Sequence, residues 1–314
     1  SPAPANGSSK TRLVGAYGDF TIGYKSIFSV NFTVRNDWSS TFKIDNNSYL
    51  YSGVGGSVNF TEWFPGLKNK VIENIKIRGN VATVGKAGQN PYLTDSYFGA
   101  AGSADGFGPT IAFPFNGVQG FSLGNGAGNP LLGPEFTNNK EIGLELSFFK
   151  GRLNIEATKY KQKSRDLIFA VPNSATAGIT SVVMNAGNIS TKGEELSIIV
   201  TPVRTKSFEW NINFNYSKFK STVDKLAPGV TNIFLGGFVT PNIRLVEGDE
   251  YGQIYGNAYL RDPKSGKIIV NSPANTSNSA LWGLPQITSG VQKIGNPNPK
   301  YIIGITNTFT YRTF

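Results

Sequence analysis

Two side chains on which most catalytic and metal sites depend are absent: the 314-residue sequence holds no histidine and no cysteine. That removes the imidazole base, the thiolate nucleophile and the commonest metal ligands, leaving carboxylates, hydroxyls and amines to carry any chemistry. Adjacent carboxylates stand at Glu194-Glu195 and at Asp249-Glu250. To act as acid and base, or to share a Ca²⁺ ion, two carboxylates must converge on one point. Glu194 and Glu195 lie in a segment that reads as a strand, where neighbours point to opposite faces. Asp249 and Glu250 lie in a loop and are the pair left as candidate metal ligands, against simple solvation. The run GNGAGNP from Gly124 to Pro130 has the glycines of a phosphate-cradling loop, but no Lys-Ser/Thr follows it and no strand-to-helix context surrounds it. The reading is therefore of a chain that is not an enzyme and needs no cofactor.

Aromatic rings offer a different chemistry, the stacking of sugars or peptides. Between Gly85 and Asn139, Tyr92, Tyr97, Phe98, Phe107 and Phe113 are spread among Gly, Asn and Ser. A loop of that length is commonly functional, and these five are the expected substrate-binding residues. The same rings would serve equally well as packing against neighbouring loops. A second group, Trp38, Tyr49, Tyr51, Trp63, Tyr160, Trp210 and Tyr311, falls near the ends of strand-like segments and is expected to form aromatic girdles at membrane interfaces.

The elements that must hold these residues announce themselves by a two-residue period. In Glu141 to Phe149, Ile142, Leu144, Leu146 and Phe148 alternate with Glu141, Gly143, Glu145 and Ser147. After only Lys150-Gly151 the pattern resumes, with Leu153, Ile155 and Ala157 alternating with Arg152, Asn154, Glu156 and Thr158. This is a hairpin with a tight turn. Like hairpins run from Thr11 to Arg35 around Lys25-Ser26, from Tyr51 to Val84, and from Gly193 to Phe219 around Thr205-Lys206. Tyr301 to Tyr311 adds a ninth strand. Short turns alternate strictly with long connections, at about 36–50, 85–139, 167–192 and 220–300. Every second connection of an up-and-down barrel lies on one side of the membrane, so the long ones are expected outside the cell and the short ones in the periplasm. A nine-residue strand rises about 30 Å and, tilted near 40°, spans about 23 Å, the height of such a barrel's apolar band. A charge at Leu144 should then be costly and one at Ser147 mild.

The net charge is +10. No basic helix, finger or aromatic-studded RNA motif accompanies it, so a nucleic-acid partner is not expected and a solvated basic lumen or rim is. Lysines occupy the short turns, at Lys25, Lys68, Lys70, Lys150 and Lys206, and also run along strands on a face that the pattern alone does not fix.

Six runs in order carry a family resemblance: FSVNFTVRNDWSSTF (Phe28 to Phe42), IKIRGNVATVGKAGQNPY (Ile75 to Tyr92), the stretch from Gly133 to Ile168, NAGNISTKGEELSI (Asn185 to Ile198), GQIYGNAYLRDPKSGKI (Gly252 to Ile268) and Ile294 to Phe314. Together they resemble the SusC-like TonB-dependent outer-membrane transporters of Bacteroidetes. The resemblance implies an all-β fold, an antiparallel up-and-down transmembrane β-barrel of which residues 1–314 form one portion, drawn from a 22-stranded barrel with a plugged lumen. It implies TonB-dependent import of an oligosaccharide or peptide, with a SusD-like surface lipoprotein as lid. The partners so implied are that lipoprotein, TonB, outer-membrane lipid and the substrate. The plug and TonB-contacting region have no counterpart in the sequence, which is expected to be an internal part of a longer polypeptide. The alternatives are a non-transporting barrel scaffold within a larger outer-membrane assembly, or a soluble all-β adhesin or carbohydrate-binding module.

Overall fold

The computed structural model describes residues 8–88, 90–103 and 111–312. Among them nine long strands form one antiparallel wall: β1 (Leu13–Tyr24), β2 (Phe28–Ser39), β3 (Ser48–Asn59), β4 (Ile72–Lys86), β10 (Glu135–Phe148), β11 (Leu153–Pro172), β12 (Ser181–Arg204), β13 (Phe208–Leu226) and β18 (Ile302–Tyr311), each hydrogen-bonded to the next in that order. Between β4 and β10 lie five short pieces, β5 (Phe98–Ala100), β6 (Gly102–Ser103), β7 (Ile111–Ala112), β8 (Phe121–Leu123) and β9 (Gly126–Ala127). The region between β13 and β18 builds its own sheet from β14 (Asn232–Gly237), β15 (Asn242–Val246), β16 (Ile254–Gly256) and β17 (Gln292–Gly295).

The hairpins turn where the short polar pairs predict. Lys25 and Ser26 both take positive φ, 47° and 57°, and Ile27 N–H donates to the Tyr24 carbonyl at 2.8 Å. Two consecutive positive φ values give the mirror-image turn whose twist matches that of the flanking strands. Phe149, Lys150 and Gly151 repeat the device, with φ of 54°, 58° and 73°.

The strands outrun their apolar alternation. β10 already begins at Glu135, β11 continues to Pro172, β12 begins at Ser181 and β13 runs to Leu226. The connections expected at 85–139, 167–192 and 220–300 are thus shorter than the sequence pattern suggests, and that between β11 and β12 shrinks to 173–180. Beyond the apolar band both faces of a strand are polar or packed, so the period-two signal fades while the hydrogen-bonded ladder continues. The region 220–300 holds a separate four-stranded sheet that does not join the wall.

Fully buried apolar residues gather at the long-connection end. Val171, Ala186, Val223 and Leu226 from the wall meet Ile233 and Leu245 from the small sheet. A second cluster joins Phe42, Tyr49 and Leu132. These two cores fasten the loops to the strand ends. In the middle of the wall Ile77, Val81, Ile142 and Ile305 are exposed, as side chains that meet lipid rather than protein must be.

Candidate functional site

Register sorts the wall into two faces, because directly paired residues on adjacent strands share a side. One row runs Val58, Ile77, Leu144, Ala157, Leu196, Tyr216, Ile303; the next step down runs Ile75, Leu146, Ile155, Ile198, Phe214, Ile305. The opposite face carries Ser57, Arg78, Gly143 and Thr158, and one step away Lys76, Glu145, Glu156 and Ser197. One face is apolar and the other is studded with charge.

Arg78 is the hub of the polar face. Its guanidinium donates to Glu156 Oε1 at 2.9 Å and to Thr158 Oγ1 at 2.8 Å, pairs with Glu141, and sets Nε 3.2 Å from Glu145 Oε1. Lys76 reaches the other oxygen of Glu145 at 3.2 Å. Gly143 makes this possible: a Cβ there would sit 2.7 Å from Arg78 Nε, so only a bare backbone lets the side chain lie across the strand. Gly193 is used in the same way by the Tyr160 ring, which lies where its Cβ would be. Beside Arg78, a cavity of about 360 Å³ is lined by Glu156, Thr158, Glu195, Ser197 and Asn215. Charged groups that hydrogen-bond one another yet stay partly open to solvent make a hydrated wall suited to a polar solute.

A second polar station stands higher on the same face. Arg35 Nε donates to Asp37 Oδ1 at 2.8 Å, and Tyr51 Oη donates to Asp37 Oδ2 at 2.8 Å. This corrects the expected girdle. Tyr51 serves Asp37, Tyr49 is buried in a loop core and Tyr160 covers Gly193, so all three belong to the polar side or the cores. Rings beside the short turns do stack in a belt: Tyr24 on Phe28, Phe60 on Trp63, Trp63 on Phe64, and Trp210 and Phe208 on Phe309.

Of the expected stacking residues, Tyr92, Tyr97 and Phe98 are 59%, 68% and 70% exposed, so their faces are open to a ligand. Phe98 sits on β5, whose ladder to β8 pairs it with Leu123. Phe113 packs over Gly120. Phe107 lies outside the described residues. No ring stack among the described residues joins two of these aromatics, so the structure does not gather them into one platform.

Asp249 and Glu250 sit where the small sheet meets β13. Asp249 accepts from Tyr255 Oη and from Lys293; Glu250 Oε2 accepts from Asn296 at 2.6 Å, and its other oxygen stands 3.1 Å from Lys220 Nζ. Burial opposes ionisation of Asp249, but the hydrogen bonds from Lys293 and Tyr255 outweigh it and hold the carboxyl below its ordinary range. Burial and the Asp249 charge push the Tyr255 hydroxyl far up.

Arg78 and its glycine escaped the sequence reading. The Lys150-Gly151 turn sets Glu145 opposite Glu156, and that much of the acidic patch was countable. The pairing of β4 with β10 spans the long connection between them, and no local signal fixes it.

Known proteins share this fold. Residues 1–285 match the family model described as TonB dependent receptor-like, beta-barrel. TonB-dependent receptor P3 of Formosa agariphila is 27% identical over 99% of this chain and 32% of its own length. TonB-dependent receptor SusC of Bacteroides thetaiotaomicron is 23% identical over 98% of this chain and 30% of its own. Among solved structures, that of the RagAB peptide transporter superposes with a TM-score of 0.74 at 20% identity, covering 96% of this chain and 32% of that one, a likeness of fold. The chain thus spans about a third of the length of the curated relatives it matches.

Proposed function

The chain belongs to the TonB-dependent receptor-like β-barrels, as a SusC-like wall of the bacterial outer membrane, and from that premise we propose that it serves TonB-dependent import of a nutrient, an oligosaccharide or a peptide. Its long connections face outward in this reading and meet a SusD-like lipoprotein lid, and a plug in the lumen answers to TonB. The observation that supports the reading is the polar face built around Arg78, a partly solvent-open charge network that would line the path of a polar solute through the lumen. The exposed rings of Tyr92, Tyr97 and Phe98 supply separate stacking faces at the entrance.

Uptake is the test. Cells carrying the full-length gene should accumulate labelled oligosaccharides or peptides, and the same cells without TonB should not. Uptake that persists without TonB, or a barrel that copurifies with a lid lipoprotein yet imports nothing, would replace import with a scaffold role.

A further inference from the structure

On the apolar face, one row above the greasy band, four lysines stand directly opposite one another on four neighbouring strands. Lys140 of β10 pairs with Lys161 of β11, Lys161 with Lys192 of β12, and Lys192 with Lys220 of β13. The row beneath reads Ile142, Lys159, Glu194, Lys218, and Lys163 follows Lys161 on the same side. All six of these other lysines and Lys161 itself are exposed. Like charges directly across a ladder repel, and each such pair destabilises a sheet. Within the protein the relief is slight: Glu250 takes up Lys220 at 3.1 Å, and among the described residues no carboxylate lies within ion-pair distance of Lys140, Lys161 or Lys192. A row held together against its own repulsion calls for an anion from outside.

Its depth says which. From Phe148 to Lys140 the strand climbs about 27 Å at about 3.4 Å per residue, or about 20 Å of height when tilted near 40°. Phe148 lies beside a short turn, so the lysines stand at the far edge of the apolar band, level with lipid headgroups. Just below them a largely apolar groove of about 510 Å³ opens on the same face, lined by Ile142, Leu144, Ala157 and Leu196 together with Lys159 and Glu194. A cationic shelf above an apolar groove suits an amphiphile with an anionic head and acyl chains.

We propose that this face is a binding site for the phosphorylated glycolipid of the outer leaflet, whose phosphates the ladder Lys140, Lys161 and Lys192 holds while an acyl chain lies in the groove. The proposal rests on the outward placing of the long connections adopted above. It differs from the import reading in using the outer surface of the barrel rather than its lumen.

The test uses the full-length protein purified from outer membranes in mild detergent, with bound glycolipid counted by native mass spectrometry. Wild-type barrels should retain it. Changing Lys140, Lys161 and Lys192 together to Gln should lower retention at least tenfold, and changing the same three to Arg should preserve it. Equal retention in the Gln variant, or equal retention of enzymatically dephosphorylated glycolipid, would overturn the site. Heat-modifiable migration on gels verifies that each variant is a folded barrel. A cysteine at Ala177, in the connection between β11 and β12, should react with impermeant maleimide on intact cells; labelling only after the outer membrane is breached would place the ladder in the wrong leaflet and equally overturn it. Uptake is measured separately, so loss of lipid binding with intact import leaves the function standing, and loss of import with intact lipid binding leaves the site standing.

Discussion

Leu144 and Glu145 are neighbours on β10 and meet different solvents. Leu144 lies between Ile77 and Ala157 in an apolar row, whereas Glu145 lies between Lys76 and Glu156 and is held by Lys76 and Arg78. Within its apolar band the outer face keeps shape and greasiness rather than polar partners. The inner face keeps partners and glycine gaps, and little of it is apolar. A substitution is therefore judged by the face it lands on more than by its position along the strand, because the bilayer cannot solvate a charge and the lumen can.

The sharpest way to break this contrast is to put a charge on the outer face. Leu144→Arg in the full-length barrel should cost about 2 to 4 kcal/mol in urea unfolding from lipid vesicles, whereas Ser147→Lys on the inner face, beside Glu73, should cost less than about 0.5 kcal/mol. Equal costs at the two positions would reverse or abolish the assignment of faces.

Next in size come the glycines of the inner face. Gly193→Ala drives a methyl into the Tyr160 ring, and Gly143→Ala displaces Arg78. Each should destabilise by about 1 to 2 kcal/mol in the same unfolding experiment. Combining Gly143→Ala with Arg78→Met should cost less than the sum, since both act on one network. Strict additivity would mean that Gly143 does not serve Arg78.

Arg78→Met alone leaves Glu141, Glu145 and Glu156 without their shared cation. In a hydrated lumen the loss should be about 1 kcal/mol and should shrink at high salt. A loss that salt leaves unchanged would mean the network is sealed from water, contrary to a hydrated inner face.

The smallest expected effect lies outside the membrane, in the small sheet. Asp249 titrates in the fold below its ordinary range, so its contribution is present above the unfolded carboxylate's pKa and is lost as pH falls through the lower folded value. The protection factors of the β15–β16 amides, corrected for the intrinsic pH dependence of exchange, should therefore fall in acid, below about pH 4, while those of β10 hold. Asp249→Asn should remove that acid sensitivity.

The wall was legible in the sequence because its period survives wherever one side meets lipid: Ile142 to Phe148 and Leu153 to Ala157 were placed on the correct faces by alternation alone. Strand ends were not legible. From Glu135 to Lys140 and from Leu167 to Pro172 the ladder persists where no bilayer imposes a pattern. The five loop aromatics were chosen by composition, which cannot distinguish an open ring such as Phe98 from one packed on a glycine, as Phe113 is. Arg78 was invisible as a hub because its partners arrive from β10 and β11, beyond a long connection. The lysine ladder was visible only as scattered residues until register aligned Lys140, Lys161, Lys192 and Lys220.

The most direct test of the two-faced wall is a spin-label scan of β10 from Glu141 to Phe148 in the full-length protein in lipid nanodiscs. Labels at 142, 144 and 146 should relax with lipid-soluble oxygen, and those at 141, 145 and 147 with a water-soluble nickel chelate, in strict alternation. Uniform access to nickel along the whole segment would contradict it, and the chain would then not be a lipid-facing barrel wall.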